Sequence, residues 1–367
     1  MQIKKIISVI EDFAPLSLQE TYDNAGLLLG DPAGDVDSVL LCIDVTEEVL
    51  DEAAAKGAGL VISHHPVIFR PLKKLTGAGF AERVVLKAVR DNIALYAAHT
   101  NIDRVWGGVN SRIGAKLGLN RQEILEPAGD FLRKLVVFVP AGDAQKVREA
   151  MFAAGAGHIG EYDRCSFNLE GVGSFRGSEG TDPYVGKAGE IHFEKETRIE
   201  VIYPAGFENR IVKEMIEAHP YEEVAYDIYR LENRWDRAGT GMVGELEPPE
   251  EGAGFLGRLK QVFGSECIRH TRITERKISR VAVCGGSGSS LISRAKGRGV
   301  DAYVSADLKY HDFFEACDSF MIVDIGHFES EQFTMEIFHE LLIKKLPNFA
   351  VHFSEINTNP IQYFLGI

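Results

Sequence analysis

Two histidines stand side by side at His64-His65, directly after the apolar run Leu60-Val61-Ile62-Ser63 and before Pro66. Pro66 stops the run. Neighbouring side chains of a strand point to opposite faces, so a turn there can aim the two imidazoles at two neighbouring centres. A second apolar run, Ile93 to Ala97, leads into His99-Thr100-Asn101-Ile102-Asp103. Asp103 has two oxygens and can bridge two cations; taken alone it reads equally as a cap or as a turn residue before Gly107-Gly108. His99 stays open between three roles: ligand, partner of a ligand, or acid/base group. A third run ends in Val323-Asp324-Ile325-Gly326-His327-Phe328-Glu329-Ser330-Glu331. His327 and Glu331 are four apart, which sets them on one helical face, a recurring spacing of metal ligands. Glu329 reads as no more than acid at a helix N-terminus.

Each piece is weak alone, and the set is stronger. It offers three imidazoles and two carboxylates at the ends of three strands of one layer, where open α/β sheets hold their ligands. One metal does not need five such ligands. Two metals bridged by carboxylates use all five and keep positions open for water. Such a pair, about 3.5–4 Å apart, activates water or clamps a phosphoryl or carbonyl oxygen. Nitrogen and oxygen donors without thiolate suit Zn, Fe, Mn, Co or Ni alike. Asp307, Tyr310 and His311 follow another strand and either line the site or simply start a helix, with Asp307 as its cap. The loop Gly285-Gly286-Ser287-Gly288 lacks both the Lys-Ser/Thr end of a P-loop and the G-x-G-x-x-G pattern. It reads as a tight turn first and an anion cradle second.

These residues need a scaffold of alternating strands and helices. Short apolar runs at 38–43, 59–63 and 93–97 have the character of buried strands, as do those at 280–284, 301–304, 320–324 and 349–353. Ile3, Ile6, Ile7, Ile10 and Phe13 fall at helical spacing. Thr46 caps a further helix with Glu47 and Glu48 in its first turn, and others are expected around 80–91 and 331–345. Alternation of this kind predicts an α/β fold with a largely parallel sheet. The middle of the chain differs. Val137-Phe138-Val139-Pro140-Ala141-Gly142 recurs 64 residues later as Val201-Ile202-Tyr203-Pro204-Ala205-Gly206, each copy a strand, a proline stop and an amphipathic helix. With following strands at about 163–169 and 224–230, the two copies make consecutive β-α-β units, the ferredoxin-like pattern. A Gly-rich stretch, with glycines at 171, 173, 177, 180, 186 and 189, reads as a long mobile loop between them. The expected organisation is therefore two α/β halves, 1–129 and 234–367, forming one metal-binding core. A ferredoxin-like domain at 130–233 interrupts it, and Arg234 to Glu251 serves as the return linker.

Composition narrows the function. The 367 residues suffice for two or three domains, and 45% apolar with 26% charged residues is globular. A net charge of −14 argues against nucleic acid as a partner. No apolar run reaches the 18 or so residues of a membrane span. The five cysteines, Cys42, Cys165, Cys267, Cys284 and Cys317, show no C-x-x-C spacing, and Met1 to Phe13 reads as an amphipathic helix rather than a signal peptide. A reducing cytoplasm is expected, with Cys42 and Cys284 as buried apolar groups.

Four pieces together resemble a known family: Tyr22-Asp23-Asn24-Ala25-Gly26-Leu27, Ser63-His64-His65-Pro66, His99-Thr100-Asn101-Ile102-Asp103, and His327 with Glu331. They are similar to the GTP cyclohydrolase 1 type 2 homologs, also called Nif-three-like dinuclear metal centre proteins. Tyr22 stands where tryptophan is common, and Ser305-Ala306-Asp307 where Thr-Gly-Asp/Glu is usual. The resemblance implies metal ligands at His64, His65, Asp103, His327 and Glu331, and a toroidal homo-hexamer. His219-Pro220-Tyr221-Glu222-Glu223-Val224-Ala225-Tyr226-Asp227 resembles the PII- or CutA-like insert of longer members. Two functions are expected to compete. One is a metal-dependent hydrolase of the GTP cyclohydrolase kind, with His99 or His311 moving protons on a purine nucleotide or phosphoester. The other is a regulatory protein that binds metal or a small molecule without turnover.

Overall fold

The computed structural model describes residues 1–364. The chain divides into two compact units, Met1–Pro127 together with the chain from Arg237 onward, and Ala128–Asp236.

The first unit is built on two sheets. In one, the strands run in the order Gly26–Leu29, Ala94–Ala97, Leu60–Ser63, Ser38–Cys42, Ala350–Phe353. The last four are mutually parallel, and Gly26–Leu29 pairs antiparallel on the edge. In the other, the order is Arg269–His270, Met321–Asp324, Ala302–Ala306, Ile278–Ser287, Trp235–Glu250, Asn120–Ala128. Its centre is parallel, with antiparallel neighbours Arg269–His270 and Trp235–Glu250. The strands Ser38–Cys42, Leu60–Ser63, Ala94–Ala97, Ala302–Ala306 and Met321–Asp324 are buried at every position. This is why they appear in the sequence as unbroken apolar runs rather than alternating ones.

Alternate residues of both sheets feed one shared core. Leu41, Ile62 and Tyr96 come from the first sheet, and Val283, Val304 and Val323 from the second. Helices supply the rest: Ile6 and Ile10 of Ile3–Phe13, Ile113 and Leu117 of Val109–Leu117, Phe255 of Gly252–Phe263, and Phe338 of Thr334–Lys345. Each such buried side chain contributes roughly 1.5–3 kcal/mol. The opposite faces have separate covers. Helices Glu47–Ala55 and Phe80–Arg90 cover Leu40, Val61 and Leu95; Leu291, Ile292 and Ala295 cover Ala282, Tyr303 and Ile322. The Thr46 hydroxyl accepts from the Val49 N–H at 3.2 Å and closes the first turn of Glu47–Ala55.

Two expectations are corrected. The three strands that end in the candidate ligands belong to two sheets, not one layer: Leu60–Ser63 and Ala94–Ala97 to the first, Met321–Asp324 to the second. An apolar run records that a strand is covered on both faces, and it carries no information on which sheet holds it. The segment 234–251 is not a linker. It contains the 16-residue strand Trp235–Glu250, in register with Ile278–Ser287 from Met242↔Val283 to Glu245↔Arg280. The Pro248-Pro249 pair that suggested a linker sits where that register breaks, between Glu245 and Glu250, because proline cannot donate to a ladder.

The second unit holds two strand–helix–strand passages. These are Leu132–Pro140, Ala144–Ala153 and Phe167–Phe175, then His192–Pro204, Glu208–Ala218 and Tyr226–Arg230. Its sheet is antiparallel in the order Phe167–Phe175, His192–Pro204, Leu132–Pro140, Tyr226–Arg230. Leu135, Val137, Val139, Ile199 and Val201 form its core with Val147, Met151, Ile211 and Met215 of the two helices. Gly171 and Gly173 lie inside a strand, so the glycine-rich loop is shorter than its composition suggested. Among the described residues no helix is long and apolar enough to cross a membrane.

Candidate metal centre

The C-terminal ends of strands from both sheets of the first unit open on one point. His64 and His65 leave Leu60–Ser63, their N–H groups donating to the carbonyls of Cys42 and Ile43 at 3.2 and 2.9 Å. The strand Ala94–Ala97 leads into His99 and the short helix Thr100–Arg104, which carries Asp103. Across from them, Met321–Asp324 leads into the short helix His327–Glu331.

All five residues expected as ligands meet here, with His99 beside them. Potential donor atoms fall into three groups, each within 4.8 Å: His65 with His327 and Glu331; His64 with Asp103 and Glu331; and His64 with His65 and His99. Glu331 joins the first two. Its Oε2 lies 2.9 Å from His65 Nε2 and 3.0 Å from His327 Nε2, while Oε1 lies 3.5 Å from His64 Nε2. Glu331, rather than Asp103, is therefore the carboxylate that reaches two groups. Asp103 meets only the His64 side, its Oδ1 3.8 Å from His64 Nε2. Spacing along the chain could not tell a central carboxylate from a flanking one.

Each imidazole is oriented through its other nitrogen. His64 Nδ1 donates to the Ala98 carbonyl at 3.1 Å. His65 Nδ1 donates to Asp44 at 2.7 Å, His99 Nδ1 to Asp23 at 2.8 Å and His327 Nδ1 to Asp307 at 2.8 Å. An Nδ1–H fixed on a carbonyl or carboxylate leaves Nε2 as the free ligand atom, the usual support of a metal-bound histidine. Asp307 is thus a support for His327. Asp44 was not anticipated, and its signal was its place after the strand Ser38–Cys42, in the same position as the other site residues. Asp23 had been noted only as part of a motif. His311 is exposed on the 3-10 helix Tyr310–Ala316 and is in none of these donor groups.

Burial holds the His64 imidazole down to about 4, so it is neutral. Burial also opposes charge on His65, but Asp44 and Glu331 outweigh it and push that imidazole up to about 10. Glu331 and Asp307 likewise raise His327 to about 9 against its burial. Burial and the neighbouring Glu331 charge drive the Asp103 carboxyl well above its usual range. Burial resists ionisation of Glu331 too, but the imidazoles of His64, His327 and His65 hold it well below. The central carboxylate thus draws both His65 and His327 toward their charged forms. A divalent cation at that point would take over their role and release their protons.

The donor set fits a metal. His64 Nε2 and Asp103 Oδ1 are buried with no hydrogen-bond partner, an arrangement that costs about 1–3 kcal/mol per atom unless something else binds there. No thiolate competes, because burial, then Asp103 and Glu331, push the nearby Cys284 thiol up to about 12. The glycine loop has a steric purpose. A Cβ on Gly286 would lie 2.2 Å from Glu331 Oε1. The Gly285 and Gly286 N–H groups are already taken by Asn110 and Ser330, each at 2.9 Å, which removes them as an anion cradle.

A two-sheet α/β core whose strand ends enclose a buried set of imidazoles and carboxylates defines a class of protein built around a candidate metal centre. The chain belongs to the Duf34/NIF3 (NGG1p interacting factor 3) family, whose pattern matches residues 1–360. A Halalkalibacterium halodurans protein named GTP cyclohydrolase 1 type 2 homolog is 39% identical over 363 residues, 98% of each chain. A Bacillus subtilis protein of the same name is 37% identical over 373 residues, again 98% of each. Among solved structures, a Bacillus cereus protein related to NIF3 superimposes with a TM-score of 0.87 at 38% identity, covering 99% of both chains.

Proposed function

We propose that the chain is a dinuclear divalent-metal protein and a metal-dependent hydrolase of the GTP cyclohydrolase kind, acting on a purine nucleotide or phosphoester. One observation carries this reading: the two oxygens of Glu331 serve separate donor groups, beside buried His64 and Asp103 atoms that lack any hydrogen-bond partner. His65, His327 and Glu331 would hold one ion, and His64, Asp103 and Glu331 the other. The donors suit Zn, Fe, Mn, Co or Ni. When bound, such a pair polarises a substrate oxygen and lowers the pKa of water. His99, tied to Asp23, would hold or pass a proton. His311, exposed and outside the donor groups, is left with no part in this step. The names of the relatives support the choice of nucleotide. We further propose a cytoplasmic ring of six chains, for which sedimentation should return the mass of a hexamer.

The test is elemental analysis of untagged protein, followed by GTP turnover. Two metal equivalents per chain are expected, with both metal and turnover lost in Glu331→Gln. Retained metal in that variant would refute the ligand set. Metal-loaded protein inert toward GTP and simpler phosphoesters would refute the hydrolase. One observation favours the second reading, a regulatory protein without turnover: a cavity of about 370 Å³ in the second unit, lined by Phe138, Phe175, Tyr184, Tyr221 and Glu196. That unit would be a PII- or CutA-like insert sensing a small molecule. Saturable metabolite binding that Tyr221→Ala abolishes, in protein with no turnover, would decide for it.

A further inference from the structure

One cavity of the first unit is lined by none of the donor residues. It has a volume of about 550 Å³, and its walls include Arg269, Arg272, Tyr310, Phe314 and Asp318. Cavities that hold cofactors and nucleotides fall in this size range. Three features of different chemistry meet in it.

The first is cationic. Arg269 is anchored, donating to the Leu308 carbonyl at 2.9 Å and pairing with Asp324. Arg272, three residues on, has no hydrogen-bond or ion-pair partner among the described residues. In a chain of net charge −14, an unpaired guanidinium on a cavity wall is a local reversal of sign. The guanidinium fork matches phosphate oxygens. The second feature is aromatic. Tyr310 is 73% exposed and Phe314 63%, with ring centroids 5.4 Å apart. Large rings left in water beside a cavity offer a stacking surface. The third is the Asp318 carboxylate, an acceptor without a partner among the described residues. A carboxylate accepts two parallel N–H bonds, which the N1–H and N2–H of a guanine edge supply and an adenine edge does not.

The cavity is linked to the donor cluster through short stretches of chain. Asp307, which holds His327 Nδ1, lies three residues before Tyr310. Asp324, which pairs with Arg269, lies three residues before His327.

We propose that this cavity is the recognition pocket for a guanine nucleotide, with phosphate oxygens on Arg272, the base stacked on Tyr310 with Phe314, tilted 70° to that ring, against its edge, and the guanine edge read by Asp318. The assignment rests on the nucleotide reading above and deepens it by naming the base and the residues that select it.

The experiment uses full-length, metal-loaded protein and a fluorescent GTP analogue, displaced in turn by GTP, ATP, guanosine and inorganic triphosphate. Arg272→Gln should weaken GTP about tenfold and leave guanosine nearly unchanged. Tyr310→Ala should weaken GTP and guanosine at least fivefold and triphosphate little. Asp318→Asn should weaken GTP while leaving ATP unchanged, which erases the preference for guanine. All three side chains lie at the surface, and circular dichroism with metal content near wild type would show that the variants fold. Wild-type protein that does not bind GTP, or variants that bind it with wild-type affinity, would overturn the pocket. If GTP is hydrolysed with unchanged KM by all three variants, the hydrolase stands and the pocket falls. If binding depends on the three residues but nothing is turned over, the pocket stands and the hydrolase falls.

Discussion

Gly286→Ala removes no donor atom, yet it should empty the centre. Gly286 has φ +60°, and a Cβ there would sit 2.2 Å from Glu331 Oε1 and 3.2 Å from its Cδ. Alanine in this left-handed conformation costs about 1–2 kcal/mol by itself. The contact costs more, because Glu331 is 2% exposed and has little room to withdraw. Its carboxylate has to retreat by on the order of 1 Å, several times the ~0.2 Å tolerance of a metal–ligand bond. Both donor groups share this carboxylate, so both should weaken. The expected result is metal content well below wild type by elemental analysis, and affinity lower by at least tenfold in chelator competition. Gly118→Ala is the matched control. Gly118 has φ +75°, ends the helix Val109–Leu117, and has nothing within 4 Å of its Cβ position. It should lose a similar 1–2 kcal/mol in denaturant unfolding and keep its metal. Gly286→Ala protein that binds metal as Gly118→Ala does would refute the steric argument, and with it the role of Glu331 as the shared carboxylate.

Asp44→Asn leaves every proposed ligand in place but takes the carboxylate from His65 Nδ1, now 2.7 Å away. Metal affinity should fall by about 10–100-fold, measured by the same chelator competition, with folded secondary structure retained. In the second unit, His219 accepts the Tyr221 N–H at Nδ1 and donates to the Phe138 carbonyl from Nε2, and burial holds its imidazole below the ordinary histidine value. The unfolded chain then binds the proton more readily, so the stabilisation is present above about pH 6.5 and is lost as pH falls through the lower folded value. The hydrogen-exchange protection factors of Leu132–Pro140, taken relative to the intrinsic exchange rate at each pH, should fall between pH 7 and 5 in wild type and respond less in His219→Gln. Equal pH responses would contradict this.

The candidate ligands were legible because each stands at the end of an apolar run, and such runs mark strands covered on both faces. Their supports were harder to find. Asp44 follows a strand as His64 does, but a single aspartate after a strand is common, and only the 2.7 Å contact with His65 distinguishes it. His311 looked equivalent to His99 by the same strand-end rule. It sits one helical turn too far along and faces outward, since Asp307 rather than His311 is the residue that reaches His327. Edge strands such as Gly26–Leu29 escaped notice because four residues with one buried position leave almost no pattern.

Residue types and their order along the chain were enough to give the α/β class, the candidate donor set, the two strand–helix–strand passages of the second unit and the family. Side-chain chemistry and hydrophobic period are local properties, and sequence records local properties directly. Tertiary structure alone decided three things: that the donors come from two sheets, that Glu331 is the carboxylate shared by two groups, and that the glycine loop exists to clear space for it. Each depends on distances between segments separated by up to 266 residues, as in the 2.9 Å contact of His65 with Glu331. Such distances are set by how the sheets pack around their common core, which no local pattern in the chain encodes.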